Sequence, residues 1–418
     1  MPLASPSASE RPPVRAGALW PTSILLFVSV IICYIDRSNL SVAVPLLKEE
    51  LGLEVSRVGI LLSAFFWTYA SFQLVAGWLV DRYNVNWVLA SGFLVWSVAT
   101  AATGLAGGFG SLLLFRLVLG VGESVAYPAY AKIFATYFTE GQRGLANSLI
   151  DVGSKVGPAL GTLVGGVYMA RFGWRTFFIV LGLGAFPWVL CWIRWMPRGR
   201  GGRAVEPGGP GMGEILCKRS AWATFIGLFC GNYFLYFLIT WLPYYLVHER
   251  HYSMRAMAVV GALPFVCSAA ATTAAGWISY RALAAGATPT RVRKTCTVAG
   301  LGFAAVIVLV PLISDTRGAM VVLMLASASY GVFSSSPWAI AQTIAGPEAA
   351  GRWAGMQNFI GNLSGVAAPA LTGLVVERTG SFFWAFGLTA GVLLAGAMVY
   401  LLVLGRVEPA RWGYQASS

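Results

Sequence analysis

Residues 19–46 read LWPTSILLFVSVIICYIDRSNLSVAVPL. A spanning helix needs about 20 mostly apolar residues, and this run is long enough. Yet an acid and an arginine, Asp36 and Arg37, sit inside it. Lys48, Glu49 and Glu50 offer a more natural end, so the run continues past the charged pair. A charge inside a membrane costs about 2.5–3.5 kcal/mol on insertion scales, and such residues face a protein interior or a water-filled path. The stretch therefore reads as one helix of a bundle built around a polar pathway.

Working outward, the same apolar pattern recurs at 57–80, 87–107, 109–137, 144–170, 173–195, 221–247, 256–280, 294–313, 318–344, 352–376 and 380–404. Hydrophobic residues make up 57% of the 418 and charged residues only 11%. Mean hydropathy is +0.70. A soluble domain carries about 25% charge, so this chain could not cover its own surface in water. The expected fold is an all-α membrane protein of twelve transmembrane helices. Six cysteines form no C-x-x-C pair, and the two histidines, His248 and His251, lie in one loop. No zinc or haem pattern is present, and no cofactor is expected.

The net charge is +13. Most basic residues flank apolar runs, which points to membrane orientation rather than nucleic acid. With both termini placed in the cytoplasm, eighteen Lys and Arg fall on that side and eight on the other, leaving Arg37, Arg116 and Lys155 inside helices. Residues 1–18 read as a disordered cytoplasmic tail without a cleavage site. The Gly-, Pro- and Arg-rich stretch within 197–219 reads as a cytoplasmic linker. It separates a first six-helix bundle (19–196) from a second (220–405), with a cytoplasmic tail at 406–418. Gly77-Trp-Leu-Val-Asp81 is faintly echoed by Gly276-Trp-Ile-Ser-Tyr280, each after the second span of its half. Parallel halves of this kind carry their binding site at the midplane between them.

Six ionisable residues fall inside spans: Asp36, Arg37, Arg116, Glu123, Asp151 and Lys155. Asp36 and Arg37 point about 100° apart, so one can meet a ligand while the other meets a neighbouring helix. Arg116 and Glu123 are seven apart, on one face but beyond direct i, i+4 reach, leaving room for an anion or a third side chain. Burial favours the neutral form of a carboxylate and a nearby guanidinium its charged form. A carboxylate pulled both ways can titrate near neutral pH, as a proton carrier must. The competing reading is a static ion pair between helices. Asp151 and Lys155, four apart, can neutralise one another; a structural role and a cavity role both stay open. The glycines at 153, 157, 161, 165 and 166 read as close helix packing. Neutral recognition groups lie in the second half: Asn232, Tyr233, Tyr236, Ser334, Ser335, Trp338, Gln357, Asn358 and Asn362. Each taken singly also fits helix packing.

Gly77-Trp-Leu-Val-Asp81-Arg82 resembles the loop signature of major facilitators. Gly77, Asp81 and Arg82 are its candidate gating residues. Asn84 stands where a second glycine is usual, with Val85 and Asn86 in place of basic residues; asparagine tolerates the left-handed conformation. The whole chain resembles the anion:cation symporter family of that superfamily, which includes sugar-acid symporters and the vesicular glutamate and sialic acid transporters. The resemblance rests on Tyr34-Ile-Asp36-Arg37-Ser-Asn-Leu-Ser, Arg116-Leu-Val-Leu-Gly-Val-Gly-Glu123, Ser154-Lys-Val-Gly-Pro and Gln357-Asn-Phe-Ile-Gly-Asn362. It implies proton sites at Asp36 and Glu123, with Arg116 tuning the glutamate. It implies an anion site at Arg37 with Tyr34, Tyr69, Ser335, Trp338 and Asn358. Ser154 stands where sugar-acid members can have glutamine.

The function these readings support is proton-coupled import of an organic anion, a sugar acid or other carboxylate, by alternating access. The expected setting is a monomer in the lipid bilayer of a bacterial inner membrane, with a small organic anion and protons as partners and no nucleic acid. The alternative is a proton-coupled exporter of drugs or metabolites on the same fold, which Arg37 disfavours for cationic cargo. A non-transporting sensor or scaffold would predict no flux. No nucleophile–base or metal constellation supports an enzyme.

Overall fold

The computed structural model describes residues 20–138, 140–197 and 210–412, except for some side chains within them, notably those of Asp81 and residues 140–148. Residues 1–18, most of the expected linker and the end of the tail lie outside this set. Eleven described helices are long and apolar enough to cross a membrane. They are α1 (Trp20–Leu51), α2 (from Val55, helical to Arg82), α3 (Val85–Thr103), α4 (Phe109–Phe134), α6 (Trp174–Trp195), α7 (Arg219–His248), α8 (Met254–Ala284), α9 (Pro289–Leu312), α10 (Thr316–Gly346), α11 (Gly351–Thr379) and α12 (Phe382–Val403). The twelfth, α5, runs through Glu140–Leu160, a π turn at Gly161–Gly165, and Gly166–Phe172. Asp151, Lys155 and its many glycines make α5 the least apolar of the set.

Several helices extend past the apolar runs: α1 continues to Leu51, and α8 spans Met254–Ala284. Backbone hydrogen bonding carries each helix into the polar edge until a stop signal ends it. Gly346, at φ +65°, breaks α10 from α11, and Gly380, at φ +64°, ends α11. These are left-handed positions where glycine alone carries no Cβ penalty. The turn between α2 and α3 needs no such residue. Asn84 is extended (φ −65°, ψ 113°), and its side chain accepts from the Asn86 amide as an N-cap. The left-handed role expected for Asn84 is thus replaced by capping. Asn86 Nδ2 donates to Pro197 O at 2.8 Å, tying this turn to the end of α6.

Packing repeats between the halves. Contacts of α1 with α5, α2 with α4, α3 with α4 and α3 with α6 recur as α7 with α11, α8 with α10, α9 with α10 and α9 with α12. This pseudo-twofold relation is the two-bundle architecture expected from the sequence. The halves meet through α1–α7, α2–α11 and α5–α8, the last two being symmetry mates.

Contacts between the halves close the side away from the termini. Lys48 Nζ donates to Tyr244 OH at 2.8 Å, and the Ser56 amide donates to Glu377 Oε2 at 2.9 Å. Ser41 Oγ donates to Ile239 O. Deeper in, Phe66 meets Tyr236 with ring centroids 4.4 Å apart, and Asn358 Nδ2 reaches Gln73 Oε1 at 3.3 Å. Beyond that bond, toward the termini, Gly77 and Gly355 have open space where a side chain would begin. The described part of the last segment is docked: Ala410 N donates to Ile344 O at 2.8 Å, and Trp412 is 6% exposed.

Candidate functional site

Arg37 lies fourteen residues from the far end of α1, and Glu123 fourteen from the far end of α4. At 1.5 Å per residue each is about 21 Å along its helix. Equal depth on neighbouring antiparallel helices brings them together. Arg37 Nε donates to Glu123 Oε2 at 2.9 Å, with side-chain exposures of 2% and 0%. Cys33 Sγ, one turn earlier, donates to the same oxygen at 2.8 Å. Glu123 Oε1 and Arg37 Nη2 are buried without a hydrogen-bond partner among the described residues.

Close backbone approach makes this pairing possible. A Cβ at Gly120 would collide with the Phe65 carbonyl and Thr68 on α2, while one at Gly122 would lie 2.7 Å from the Trp96 amide on α3. The two glycines let α4 sink between α2 and α3, carrying Glu123 inward. On α1, Gly157 of α5 fits against Tyr34 and the Ile31 carbonyl.

Asp36 turns to a different neighbour, as the angle between consecutive residues requires. Thr100 Oγ1 donates to Asp36 Oδ1 at 3.0 Å. Arg116 is 3% exposed, sits 5.2 Å from the Phe65 ring centroid, and lies within electrostatic range of Asp36, Glu123 and Arg37. The third side chain facing Glu123 is therefore Arg37. Four formal charges, two of each sign, are buried together in the first half.

The Arg37 guanidinium is also enclosed by aromatic rings, 4.4 Å from the Tyr69 centroid, 4.7 Å from Tyr34 and 5.0 Å from Phe65. Ring faces attract a cation electrostatically and hold a planar guanidinium in orientation. Tyr34 OH lies 3.2 Å from Tyr127 OH. Across the gap, Tyr236 OH donates to Asn362 Oδ1 at 2.6 Å, and Asn362 Nδ2 donates to Asn358 Oδ1 at 3.0 Å. With the Asn358–Gln73 bond this forms a polar chain from α7 through α11 to α2. Gln73 is half-buried in an apolar run, and a lone amide there has no distinguishing sequence pattern.

The hydrogen bonds of Ser154 and Ser335 go to their own helices. Ser154 Oγ donates to Asp151 O at 2.7 Å. Ser335 Oγ donates to Val332 O at 2.7 Å beside the bend in α10, and Trp338 is 39% exposed. Gln357 is fully buried, with neither amide atom partnered among the described residues. Arg82 is exposed, and the side chain of Asp81 lies outside the described set.

Twelve spans in two related bundles, with a charged cluster buried at mid-depth, are the architecture of a membrane transporter. Residues 26–369 match the Major Facilitator Superfamily. The chain belongs to that superfamily, whose members are transporters rather than enzymes. It is 31% identical over 393 residues to a probable sulfoacetate transporter of Cupriavidus necator, covering 89% of this chain and 90% of that one. It is 28% identical over 395 residues to a hexuronate transporter of Bacillus subtilis, covering 91% and 93%. Its fold resembles the crystal structure of a bacterial homologue of the human lysosomal transporter Spinster in an inward-facing and occupied conformation (TM-score 0.79, 18% identity, covering 94% of this chain and 97% of that one).

Proposed function

We propose that this chain is a proton-coupled symporter that imports an organic anion by alternating access. The observation that carries this reading is the Arg37–Glu123 bond, buried beside Asp36 and Arg116. With all four groups charged the cluster is neutral, and Arg37 is engaged by a carboxylate of the protein. Protonating Glu123 removes the charge that holds the guanidinium. A substrate carboxylate can then take the place of Glu123, using the two-pronged geometry for which arginine is suited. Two carboxylates compete for one guanidinium, so proton and anion occupancy are linked.

In this reading Asp36 is the second proton site, and Arg116 offsets the negative charge when the protons leave. Tyr34 and Tyr69 wall the anion, Asn358 contributes from the second half, and Ser154, Ser335 and Trp338 complete the lining as the halves move. Gly77, Asp81 and Arg82, which lie on the last turns of α2 rather than in a loop, form the gate. Two protons moving with a monoanion carry net positive charge inward. The two relatives are named as transporters of organic acids, which favours an anionic cargo. The setting we infer is a monomer in a bacterial inner membrane with both termini cytoplasmic.

The test is uptake into proteoliposomes under an imposed inward proton gradient, across a panel of labelled organic acids. Accumulation of one acid, abolished by a protonophore, supports the symporter. Failure of every anion to move, with export of a cationic compound against the gradient, would replace it with the exporter.

A further inference from the structure

The Asp151–Lys155 pair on α5 is separate from the Arg37 cluster, and its position bears on the substrate. Gly153 and Gly157 turn toward α1, where added Cβ atoms would meet Val30 and Tyr34. Asp151, Lys155 and Thr162 lie on the other side of the helix, spaced four and seven apart. Thr162 packs at Gly261 of α8, so this face looks across to the second half. Because α5 and α8 run antiparallel, stepping seven residues toward the termini brings Lys155 level with Ser268. The Ser268 hydroxyl is buried without a hydrogen-bond partner among the described residues. Asp151 is also within electrostatic range of Tyr34 and of Tyr330 on α10. Tyr34 carries the Arg37 guanidinium 4.7 Å from its ring centroid. Tyr34 therefore stands between Arg37 and the Asp151–Lys155 pair.

The bond from Lys155 Nζ to Asp151 Oδ1 is 2.7 Å, with side-chain exposures of 11% and 50%. Lysine is the buried partner and aspartate the exposed one. A pair with one exposed end is held less firmly than one buried at both ends. Asp151, exposed on the face that looks to the second half, can swing aside and leave Lys155 free. An inert brace would hold both ends.

We propose that Lys155 is a second cationic subsite, and that the transported anion is acidic at both ends and is held between Arg37 and Lys155. This rests on the organic-anion reading above and narrows it to a dianion. Asp151 occupies the subsite when substrate is absent, which keeps the empty gap neutral. The unpartnered Ser268 hydroxyl offers a donor to the distal acid group.

The experiment is competition for uptake in proteoliposomes under the inward proton gradient. The probes are matched pairs differing in one terminal acid: gluconate against glucarate, and acetate against sulfoacetate. The intact protein should favour the diacid of a transported pair by about tenfold, the size of one charge-assisted contact. Lys155→Met should erase that preference while leaving the monoacid within about threefold, a change under 1 kcal/mol. Asp151→Asn, which removes the internal competitor, should strengthen diacid binding. Opposite signs for the two variants separate a subsite from a structural pair, whose loss from either side would weaken transport of both acids alike. Equal inhibition by monoacid and diacid, or a diacid preference that survives Lys155→Met, would overturn the proposal while leaving the anion symporter intact. If no acid of either pair competes with any transported anion, the dianion assignment fails. If no organic anion is transported at all, the reading beneath it fails as well.

Discussion

The Nε of Arg37 and the Oε2 of Glu123 lie 2.9 Å apart in the middle of the first bundle, and neither side chain reaches solvent by more than 2%. A bare charge at that depth is costly, so each residue depends on the other. Asp36, one position away, is held instead by Thr100. Consecutive residues of one helix thus place an acid and a base in different surroundings.

Glu123→Gln should abolish gradient-driven accumulation, by at least about tenfold, while counterflow exchange of the same anion continues. The amide keeps the shape of the carboxylate but cannot release a proton. Parallel uptake and exchange assays in proteoliposomes check this. Equal loss of both would show that Glu123 serves binding rather than coupling.

Arg37→Ala should destabilise the protein by about 3–5 kcal/mol, because Glu123 is left buried and unpaired. Combining it with Glu123→Gln should recover part of that loss, since no lone charge remains. A double-mutant cycle of denaturant unfolding in detergent measures the coupling. Arg37→Lys should retain more stability yet bind the anion at least about tenfold more weakly, lacking the guanidinium fork.

Gly120→Ala and Gly122→Ala should each destabilise by about 1–3 kcal/mol, the usual range for overpacking. Their Cβ atoms would press on the Phe65 carbonyl and the Trp96 amide, neither of which can yield as a flexible side-chain end could. Gly77→Ala, with open space around it, should leave thermal stability nearly unchanged. Thermal unfolding of the three variants compares them directly.

Lys48→Met with Glu377→Gln should loosen the closed side, because these residues bond to Tyr244 and to the Ser56 amide across the halves. Each bond is weak by itself, at about 1 kcal/mol, but together they bias a two-state equilibrium several-fold. A cysteine at Ser41, with the exposed Cys217 replaced by serine, should label faster from the side away from the termini in the double variant. Unchanged labelling would mean that packing of Gly59 against Pro369 and Gly373 holds the closure unaided.

Much of this protein is legible in its sequence for a simple reason. A bilayer demands long apolar runs and penalises every charge within them, so the spans and the cluster Asp36, Arg37, Arg116 and Glu123 stand out without any contact being known. The spacing from Arg116 to Glu123 likewise shows that both share a face with room between them. What fills that room was not legible. Arg37 reaches Glu123 because two helices of opposite direction bring positions 86 residues apart to one depth. Gln73 joins Asn358 across 285 residues of chain for the same kind of reason. The bilayer acts on each segment alone and so writes itself into local composition. The partners of a buried charge, and the side on which the bundle closes, depend on how helices pack on one another, and only the tertiary structure decides that.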